Sequence, residues 1–473
     1  MLKLTVEQEE AVDSIKKFLD DPDLDNNIFT LQGVGGSGKT STIIYALDPY
    51  KQRKVIVGGT ISHSAKVVLD KALERAKIRC YTVAQLLELT QIIDEETGEI
   101  SFKPVKKSMN KSPLLDADIV LIDECSMLDE ELHSAIIKKS KKGAKIIYLG
   151  DPSQLPPIGD ENSDSPTFNH TRATLTKAMR YKGLNTILGD RLREEIRKYN
   201  EGEQCSQYVI NEWQTSELGN SCRTSEVDEH GNGYIFLNDL DVMMNIAVKG
   251  FSENSHNTDD MRIIAFRNTT IKIINEKIRH LLYGDDLQQF MEGELVICDG
   301  GYSAKKEFNS KPRPCIYNNE IFRISSTVKT NGPYDIPALM PVLDPPVALQ
   351  QGERIYIVDE KGREKYDSIL KSLQTKAREN GSLWRNYYLF RDNFAEFNYT
   401  YTQSSHKSQG RTYRDVIVLE KDILDVSKID VKVKLQSLYV ACTRASRRVY
   451  IFNTKYKVDN SGLPEDLRNE LGI

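Results

Sequence analysis

The chain has 473 residues, of which 39% are hydrophobic and 28% are charged, and it carries a net charge of −5. This length predicts two or more domains, and the acidic balance excludes a globally basic nucleic-acid binder. The seven cysteines show no CxxC spacing, which argues against a zinc site or a disulfide framework. No apolar run approaches the length of a membrane helix and the opening MLKLTVEQEE lacks signal-peptide character, so a cytoplasmic location without membrane contact is expected.

The first part of the chain alternates short apolar strands with helices. The predicted strands lie at 28–32, 54–57, 118–122 and 145–149, and the predicted helices at 42–47, 64–75 and 128–141. This alternation is typical of a parallel α/β sheet. Within it, QIIDEETGEISFKPV predicts a hairpin with two extended arms around an EETGE turn.

The same alternation returns later in the chain and predicts a second α/β lobe. Its predicted strands lie at 262–266, 414–419 and 448–452, and its predicted helices at 269–283 and 434–443. The intervening residues 289–396 contain several β-rich runs separated by turn residues, which predicts a small β-domain inserted into this lobe. Residues 184–260 are charged and weakly periodic, and the sequence alone assigns them no structure.

A glycine-rich loop follows the first strand and opens the first helix of the α/β pattern. Its sequence, GVGGSGKT, matches the P-loop pattern GxxxxGK[ST]. In a P-loop the backbone N–H groups and the helix N-terminus point at phosphate oxygens. The predicted phosphate-binding residues are Gly33, Gly35, Gly36, Ser37, Gly38, Lys39 and Thr40. Lys39 is expected to reach the β- and γ-phosphates and Thr40 to hold Mg²⁺.

The sequence LIDE places two acidic residues at the end of a buried strand. Asp123 is expected to hold Mg²⁺ directly or through water, and Glu124 to polarise the attacking water as general base. A solvated turn explains an isolated acidic pair equally well, but its place beside a P-loop favours the catalytic interpretation. At this point a nucleotide kinase and a GTPase remain open alternatives to a motor protein.

The sequence GDPSQLPP at 150–157, together with DECSM at 123–127, resembles superfamily 1 helicases of the B type, the group of Dda, RecD and Pif1. The resemblance covers most of the chain and implies an α/β fold with two RecA-like lobes, with ATP and Mg²⁺ as cofactors. It also implies that Gln154 senses the γ-phosphate, a role that suits an amide because it both donates and accepts hydrogen bonds.

Further motifs of this family follow in the expected order, and their roles here are what the resemblance implies. The implied adenine contact is Gln8, and the implied arginines at the γ-phosphate are Arg180 and Arg444. Gly410, in motif V, is a further implied nucleotide-binding residue. The implied contacts to single-stranded DNA are Thr60 and His63 in GGTISHSAK, and His406 and Lys407 in SHKSQGRT. Because both arginines belong to the second lobe, ATP would close the cleft between the lobes and hydrolysis would release it.

The resemblance also implies a domain layout. The predicted ranges are 1–89 and 114–177 for lobe 1A, 90–113 for a hairpin 1B, 178–288 and 397–473 for lobe 2A, and 289–396 for a β-rich insertion 2B with an SH3-like barrel. In relatives such a hairpin separates the strands, and Phe102 on its second arm is the candidate wedge residue. The alternative is a phenylalanine packed under the hairpin.

Eight aromatic residues lie within 384–401, with arginines among them. This composition suits stacking on single-stranded bases. Packing of the inserted domain against the second lobe explains it equally, and we favour packing.

The predicted function is a 5′→3′ DNA helicase, and the polarity comes entirely from the resemblance. The expected partners are single-stranded DNA and single-strand/double-strand junctions, with a single-strand binding protein or replisome components as further candidates, and the chain is expected to act as a monomer in bacterial or phage-infected cytoplasm. A 3′→5′ or RNA-directed translocase and a non-motor P-loop NTPase remain alternatives. GDPSQLPP argues against 3′→5′ relatives, and the SHKSQGRT and LYVACTRA motifs argue against a non-motor enzyme.

Overall fold

The computed structural model describes residues 4–93, 100–104, 112–157, 164–178, 184–201, 222–253, 258–304, 313–427 and 429–473. Three main sheets organise these residues: two are largely parallel and covered by helices, and the third is antiparallel. Within the described ranges, none of the helices combines the length and apolarity needed to cross a bilayer.

The first α/β unit is built by residues 4–178. Its helices are α1 Val6–Asp20, α2 Lys39–Leu47, α3 His63–Leu73, α4 Val83–Leu86 and α5 Glu130–Lys139, and its strands are β1 Ile28–Gly33, β2 Ile56–Thr60, β3 Arg79–Thr82, β4 Leu89–Ile93, β5 Ile100–Pro104, β6 Ile119–Asp123, β7 Lys145–Gly150 and β8 Thr171–Leu175. Six strands form a parallel sheet in the order β3-β2-β6-β7-β1-β8. Strands β4 and β5 form a separate antiparallel pair with Gln91 opposite Phe102, as predicted for the arms of the hairpin.

The central strands of this sheet are apolar along their whole length because helices cover both faces. Phe29, Leu121 and Ile147 pack on one face with α1 and α2, while Val120 and Tyr148 pack on the other with α5. Continuous burial of this kind is typical of parallel sheets. The carboxyl ends of β1, β6 and β7 therefore meet at one edge, which is where ligands bind in open α/β sheets.

The remaining elements follow in chain order. They are α6 Leu184–Asn200, β9 Cys222–Thr224, β10 Glu226–Val227, β11 Gly233–Leu237, α7 Leu240–Glu253, β12 Met261–Ala265, α8 Asn268–Tyr283, β13 Leu295–Asp299, β14 Tyr302–Ala304, β15 Arg313–Ile316, β16 Ile321–Asn331, β17 Pro337–Asp344, β18 Ile357–Val358, α9 Glu360–Glu379, α10 Trp384–Arg391, β19 Glu396–Tyr399, β20 Thr402–Ser404, α11 Ser405–Ser408, β21 Tyr413–Leu419, α12 Glu420–Leu424, α13 Val431–Cys442, β22 Ala445–Phe452, β23 Lys457–Asp459 and α14 Glu465–Leu471.

The second α/β unit uses strands from both sides of the inserted segment. Its sheet has the order β10-β11-β22-β21-β12-β20, and all neighbours are parallel except β10 and β11. The region 184–260, to which the sequence assigned no structure, contributes α6, α7 and strands β9 to β11 within the described ranges. The predicted second α/β lobe is therefore present, and α6 lies against α13 on one of its faces.

The inserted segment differs from the prediction in two respects. Its antiparallel sheet, in the order β18-β17-β16-β13-β19, extends beyond residue 396 because β19 runs to Tyr399. It also contains the 20-residue helix α9, whereas the sequence had predicted a β-rich domain. The signal for α9 was present: Asp359 caps the helix, and Tyr366, Leu373 and Ala377 recur on one face. Closure of this sheet into an SH3-like barrel stays a prediction.

The aromatic stretch at 384–401 is largely buried, as expected for packing and not for stacking on single-stranded bases. Five of its aromatic side chains are buried, namely Trp384, Phe390, Phe394, Phe397 and Tyr401. Phe390 and Phe394 pack with α9, Phe397 packs in the core of the insertion, and Tyr401 packs in the core of the second α/β unit.

A buried ion pair ties the start of the second unit to its centre. The Arg223 guanidinium lies 2.6 Å from the Glu420 carboxylate, and both side chains are 1% exposed. Asn453 donates to the same carboxylate and the Tyr456 ring lies under the guanidinium. Removing one partner of such a pair leaves an uncompensated buried charge.

Glu420→Ala is therefore expected to lower the free energy of unfolding by about 3–5 kcal/mol. Urea unfolding monitored by fluorescence measures the loss. The exposed pair of Arg197 and Glu194 supplies the control, because Arg197→Ala is expected to change stability by less than about 1 kcal/mol. Equal effects of the two substitutions would contradict the prediction.

Candidate functional site

The P-loop lies at the carboxyl edge of the first sheet, between β1 and α2. Gly36 and Gly38 have φ values of +76° and +85°, a left-handed conformation that glycine adopts without strain. A Cβ atom at Gly38 would lie 2.5 Å from the Gln8 Nε2 atom, so a larger residue would strain the backbone and also displace the Gln8 side chain. Lys39 Nζ donates to the carbonyl oxygens of Gly33 at 2.7 Å and Val34 at 3.2 Å. The loop thus has the curled shape that turns N–H groups toward phosphate.

Gln8 lies directly beneath this loop. Its Nε2 atom donates to the Ser37 carbonyl at 3.0 Å, and its Oε1 atom accepts from the Thr5 N–H at 3.0 Å as part of the capping box of α1. The structure therefore places Gln8 as a brace between α1 and the P-loop. The Ser37 hydroxyl oxygen is buried and finds no hydrogen-bond partner among the described residues.

The acidic pair lies at the end of β6, opposite the P-loop. Glu124 has a φ of +56°, and a non-glycine residue held in this region is strained, as is common at active sites. Burial, and then the negative charge of Asp123, raise the pKa of Glu124, while Arg444 and Lys39 lower it. A carboxyl with a raised pKa and opposing charges around it suits proton transfer near neutral pH.

The predicted donors for a divalent cation are Thr40, at the start of α2, and Asp123, at the end of β6. A hydroxyl and one carboxylate are hard oxygen ligands of the kind Mg²⁺ uses together with substrate phosphates. In the described part of the chain no cluster of three or more His, Cys, Asp or Glu side chains offers an all-protein metal cage. The residues therefore fit a cation that arrives with a nucleotide.

A second group of residues joins the nucleotide site to the second lobe. The Gly35 N–H donates to Asp151 Oδ2 at 2.9 Å and to the Tyr439 hydroxyl at 3.2 Å. The Tyr439 hydroxyl in turn donates to the same Asp151 oxygen at 2.6 Å. Burial and then Asp151 raise the pKa of Tyr439 well above its usual value, so its hydroxyl keeps the proton that it donates. One residue from each lobe thus contacts the same P-loop amide.

A second contact between the lobes connects two predicted motifs. Gln409 Nε2 donates to Gln154 Oε1 at 3.1 Å and to the Ser126 hydroxyl at 3.4 Å. Both glutamines are buried, and the Gln409 Oε1 atom has no hydrogen-bond partner in the described ranges. Next to it, Gly410 has a φ of +75° and lies 3.3 Å, measured from its ideal Cβ, from Ala65 of α3.

The two predicted arginines differ in what the structure describes. Arg444 is buried and donates to the carbonyl oxygens of Val440 at 2.9 Å and Arg411 at 3.2 Å, so its guanidinium is held by its own lobe. Its charge nevertheless acts on Glu124. Arg180 lies outside the described residues. A cavity of about 550 Å³ beside the P-loop is lined by residues of both lobes, including Arg193 of α6.

Four of the predicted DNA contacts lie at or just after the carboxyl ends of β2 and β20. Thr60 is fully buried, and its hydroxyl has no partner among the residues the structure describes. The His63 ring stacks on Tyr317 of the insertion, with 3.5 Å between ring centroids and 9° between planes. Lys407 forms an ion pair with Asp299.

The structure gives less information on His406 and Phe102, the other two predicted DNA contacts. The His406 ring meets Phe266 edge to face at 6.0 Å between centroids. The backbone of Phe102 is placed by β5, but its side chain lies outside the described part of the structure, so the wedge role stays a prediction.

Four residues of these sites carried no predicted role. Asp151, Gln409 and Tyr439 all lie within the motifs used for the resemblance, at positions where the sequence gives no sign of a contact between lobes. Tyr317 lies in the insertion, and no pattern in its surroundings distinguishes it from a surface tyrosine.

Comparison with known proteins supports the interpretation of this geometry as a P-loop nucleotide site. Residues 3–205 match a family model described as an AAA domain. The chain is 26% identical to the uncharacterized protein R530 of Acanthamoeba polyphaga mimivirus, over 90% of this chain and 95% of R530. It is 32% identical to the RecBCD enzyme subunit RecD of Buchnera aphidicola, over 28% of this chain and 23% of RecD. It is 24% identical to the ATP-dependent DNA helicase Dda of phage T4, over 64% of this chain and 65% of Dda.

Among solved structures, a Pif1 helicase from Bacteroides bound to single-stranded DNA has a TM-score of 0.46 and 16% identity, covering 99% of this chain and 97% of that one. Fold and site define a P-loop nucleoside triphosphatase with two α/β lobes. The matched family model and the similarity to RecD and Dda support the resemblance to superfamily 1B helicases that the motifs indicate.

Proposed function

We propose that the chain is an ATP-dependent DNA helicase that couples Mg-ATP hydrolysis between its lobes to movement along single-stranded DNA, with 5′→3′ polarity. The contact that carries this proposal is the hydrogen bond between Gln154 and Gln409, because it joins the nucleotide site to the motif that also contains His406 and Lys407. A non-motor NTPase has no use for such a contact. Dda is named as an ATP-dependent DNA helicase, which agrees with this proposal.

In this mechanism the P-loop binds the phosphates. Its N–H groups and Lys39 neutralise the β- and γ-phosphates, and Lys39 exchanges its hydrogen bonds to the loop carbonyls for phosphate oxygens. Thr40 and Asp123 would hold Mg²⁺, which supplies further neutralisation of phosphate charge. Gln8 braces the loop from below, and the resemblance implies that it also contacts the adenine.

Glu124 acts as the general base toward the attacking water. Burial favours its uncharged form, and the charges of Arg444 and Lys39 favour the carboxylate that accepts the proton. Arg444 of the second lobe, together with Arg180, which the resemblance assigns to the same lobe, would stabilise the charge that develops on the γ-phosphoryl group. Because these groups come from opposite lobes, catalysis requires the cleft to close.

Coupling to DNA follows from the same closure. The Gln154 amide oxygen accepts a hydrogen bond from Gln409, while its NH₂ group can donate to phosphate or water. A shift of Gln154 then moves Gly410 and the adjoining helix α11, which carries His406 and Lys407. Alternating grip of this segment and of Thr60 and His63 on the strand would produce stepping, and Phe102 would separate the duplex at the hairpin.

Strand displacement on partial duplexes with a single 5′ or 3′ tail tests the proposal, with Lys39→Ala as the matched control. Unwinding from the 5′ tail alone, lost in Lys39→Ala, is the expected result. Unwinding from the 3′ tail alone would keep the motor and overturn the polarity, and displacement of RNA but not DNA duplexes would overturn the substrate. ATP hydrolysis indifferent to any nucleic acid would overturn the helicase function itself.

A further inference from the structure

The loop between β15 and β16, residues 317–320, is a fixed part of the insertion; we call it the Tyr317 loop. Its backbone is tied to β13 by two hydrogen bonds, from Asn319 N–H to the Cys298 carbonyl at 2.9 Å and from Cys298 N–H to the Glu320 carbonyl at 2.9 Å. The Tyr317 N–H donates to the Glu320 carboxylate at 2.7 Å. The loop therefore presents the Tyr317 ring from a rigid base.

The Tyr317 loop contacts both lobes at the motifs that face the proposed DNA path. The Tyr317 ring lies parallel to the His63 ring, which opens α3 in the first lobe. The Asn319 carbonyl accepts a hydrogen bond from Arg411 of the SHKSQGRT motif in the second lobe. The loop thus lies where a strand held by both motifs would cross from one lobe to the other.

The geometry of the ring pair suits a nucleobase. Aromatic side chains generally prefer offset or edge-to-face contacts, whereas these rings lie nearly parallel with their centroids 3.5 Å apart. Tyr317 is 37% exposed, so solvent and ligands reach its ring. On the other wall, the buried His63 Nδ1 atom has no partner among the described residues, which leaves one ring nitrogen for a ligand once the rings separate.

His63 is a neutral ring in this setting. Burial, and then the charge of Lys66, lower its pKa to about 4. At neutral pH it therefore offers a flat aromatic face and uncharged ring nitrogens, and it contributes no positive charge toward phosphate. Bases, which have both π-faces and hydrogen-bonding edges, match such a surface better than the phosphate backbone does.

We propose that Tyr317 and His63 form a base-stacking site for single-stranded DNA, in which one nucleobase inserts between the two rings. Insertion separates the rings by about one base spacing, roughly 3.4 Å. The insertion and the first lobe would then grip the strand together, and the Tyr317 ring supplies a stacking face that belongs to neither lobe. This inference rests on the proposed DNA-binding function and adds a specific contact to it.

The alternative is a purely structural stack that holds the insertion against the first lobe. The two interpretations differ in what they require of the ligand. A stacking site loses its contribution when the strand lacks bases, while a structural stack affects strands with and without bases equally.

Tyr317→Ala, Tyr317→Phe and the control Tyr334→Ala test the proposal in the full-length chain. Tyr334 is a similarly exposed tyrosine of the same insertion, at 45%, and its ring packs on Phe390 instead of His63. Fluorescence anisotropy measures the affinity of each protein for a labelled oligo-dT and for an abasic oligonucleotide of equal length. Quenching of 2-aminopurine at successive positions reports a stacked base directly.

Tyr317→Ala is expected to weaken oligo-dT binding at least about fivefold, in line with the usual effect of removing a base–aromatic stack. Tyr317→Phe and Tyr334→Ala should bind within about twofold of wild type, and on the abasic strand Tyr317→Ala should match wild type. Binding of oligo-dT by Tyr317→Ala as tight as or tighter than wild type would overturn the site, as would an equal loss on the abasic strand. A wild-type chain that binds no single-stranded DNA would instead overturn the proposed function.

Discussion

Glu124→Gln is expected to reduce ATP turnover about 10²- to 10⁴-fold while ATP binding persists, because the amide keeps the size of the carboxyl but cannot accept the proton from water. Turnover measured by phosphate release, together with nucleotide affinity from a fluorescent ATP analogue, separates the two effects. The exposed Glu131, which lies a few residues along in α5, provides the control, and Glu131→Gln should retain wild-type turnover. Parallel loss of turnover and of ATP affinity would contradict the role of general base.

The pH dependence of turnover gives an independent check. Burial and Asp123 raise the pKa of Glu124, and the carboxylate is the active form, so turnover should fall as pH is lowered through a value above the ordinary glutamate range. Arg444 counteracts this shift. Arg444→Ala should therefore move the acid limb of the profile to still higher pH, in addition to lowering the maximum. An acid limb at the same pH in both proteins would argue against Glu124 as the titrating base.

Gln409→Ala is expected to uncouple ATP turnover from DNA. The ratio of turnover with single-stranded DNA to turnover without it should fall toward 1, and unwinding should drop at least about tenfold, because the contact to Gln154 is lost. Steady-state hydrolysis across a range of oligo-dT concentrations and strand displacement on a tailed duplex measure these quantities.

A double-substitution cycle shows whether Gln409 and Gln154 act through each other. If their mutual hydrogen bond carries the coupling, Gln154→Ala combined with Gln409→Ala should be no worse than the more severe single variant. Gln436 offers a comparison, since its Nε2 atom crosses the same interface to the Pro152 carbonyl at 3.3 Å. Additive losses in the cycle, or an equal loss of stimulation in Gln436→Ala, would show that any contact between the lobes suffices.

The two α/β lobes could be predicted because their strands and helices have strong local signals. The predicted strand at 145–149 and helix at 269–283 differ from β7 and α8 by one residue at an end. The P-loop could be predicted equally well, because its residue spacing encodes a local backbone shape. Helix α9 was missed although Tyr366, Leu373 and Ala377 share a face, since the surrounding β-rich runs dominated the interpretation of that segment.

The contacts between lobes could not be predicted from local patterns. The Gly35 amide and the Tyr439 hydroxyl are 404 positions apart, and only the packing of α13 against the nucleotide edge brings them together. Tyr317 and His63 meet for a similar reason, because the insertion folds back over the first lobe. Local sequence patterns show which motifs the chain contains, whereas tertiary packing determines which motifs contact each other.

If Gly35 binds phosphate as proposed, its hydrogen bond to Asp151 makes nucleotide binding an exchange of one anion for another. A phosphate oxygen that takes the Gly35 N–H must displace a carboxylate already bound there at 2.9 Å, and Tyr439 from the other lobe stabilises that carboxylate. The affinity for ATP would then reflect a difference between two competing interactions. Asp151 would compete with the phosphate of the bound product for the Gly35 N–H. Return of that N–H to Asp151 would therefore favour nucleotide release at the end of each cycle.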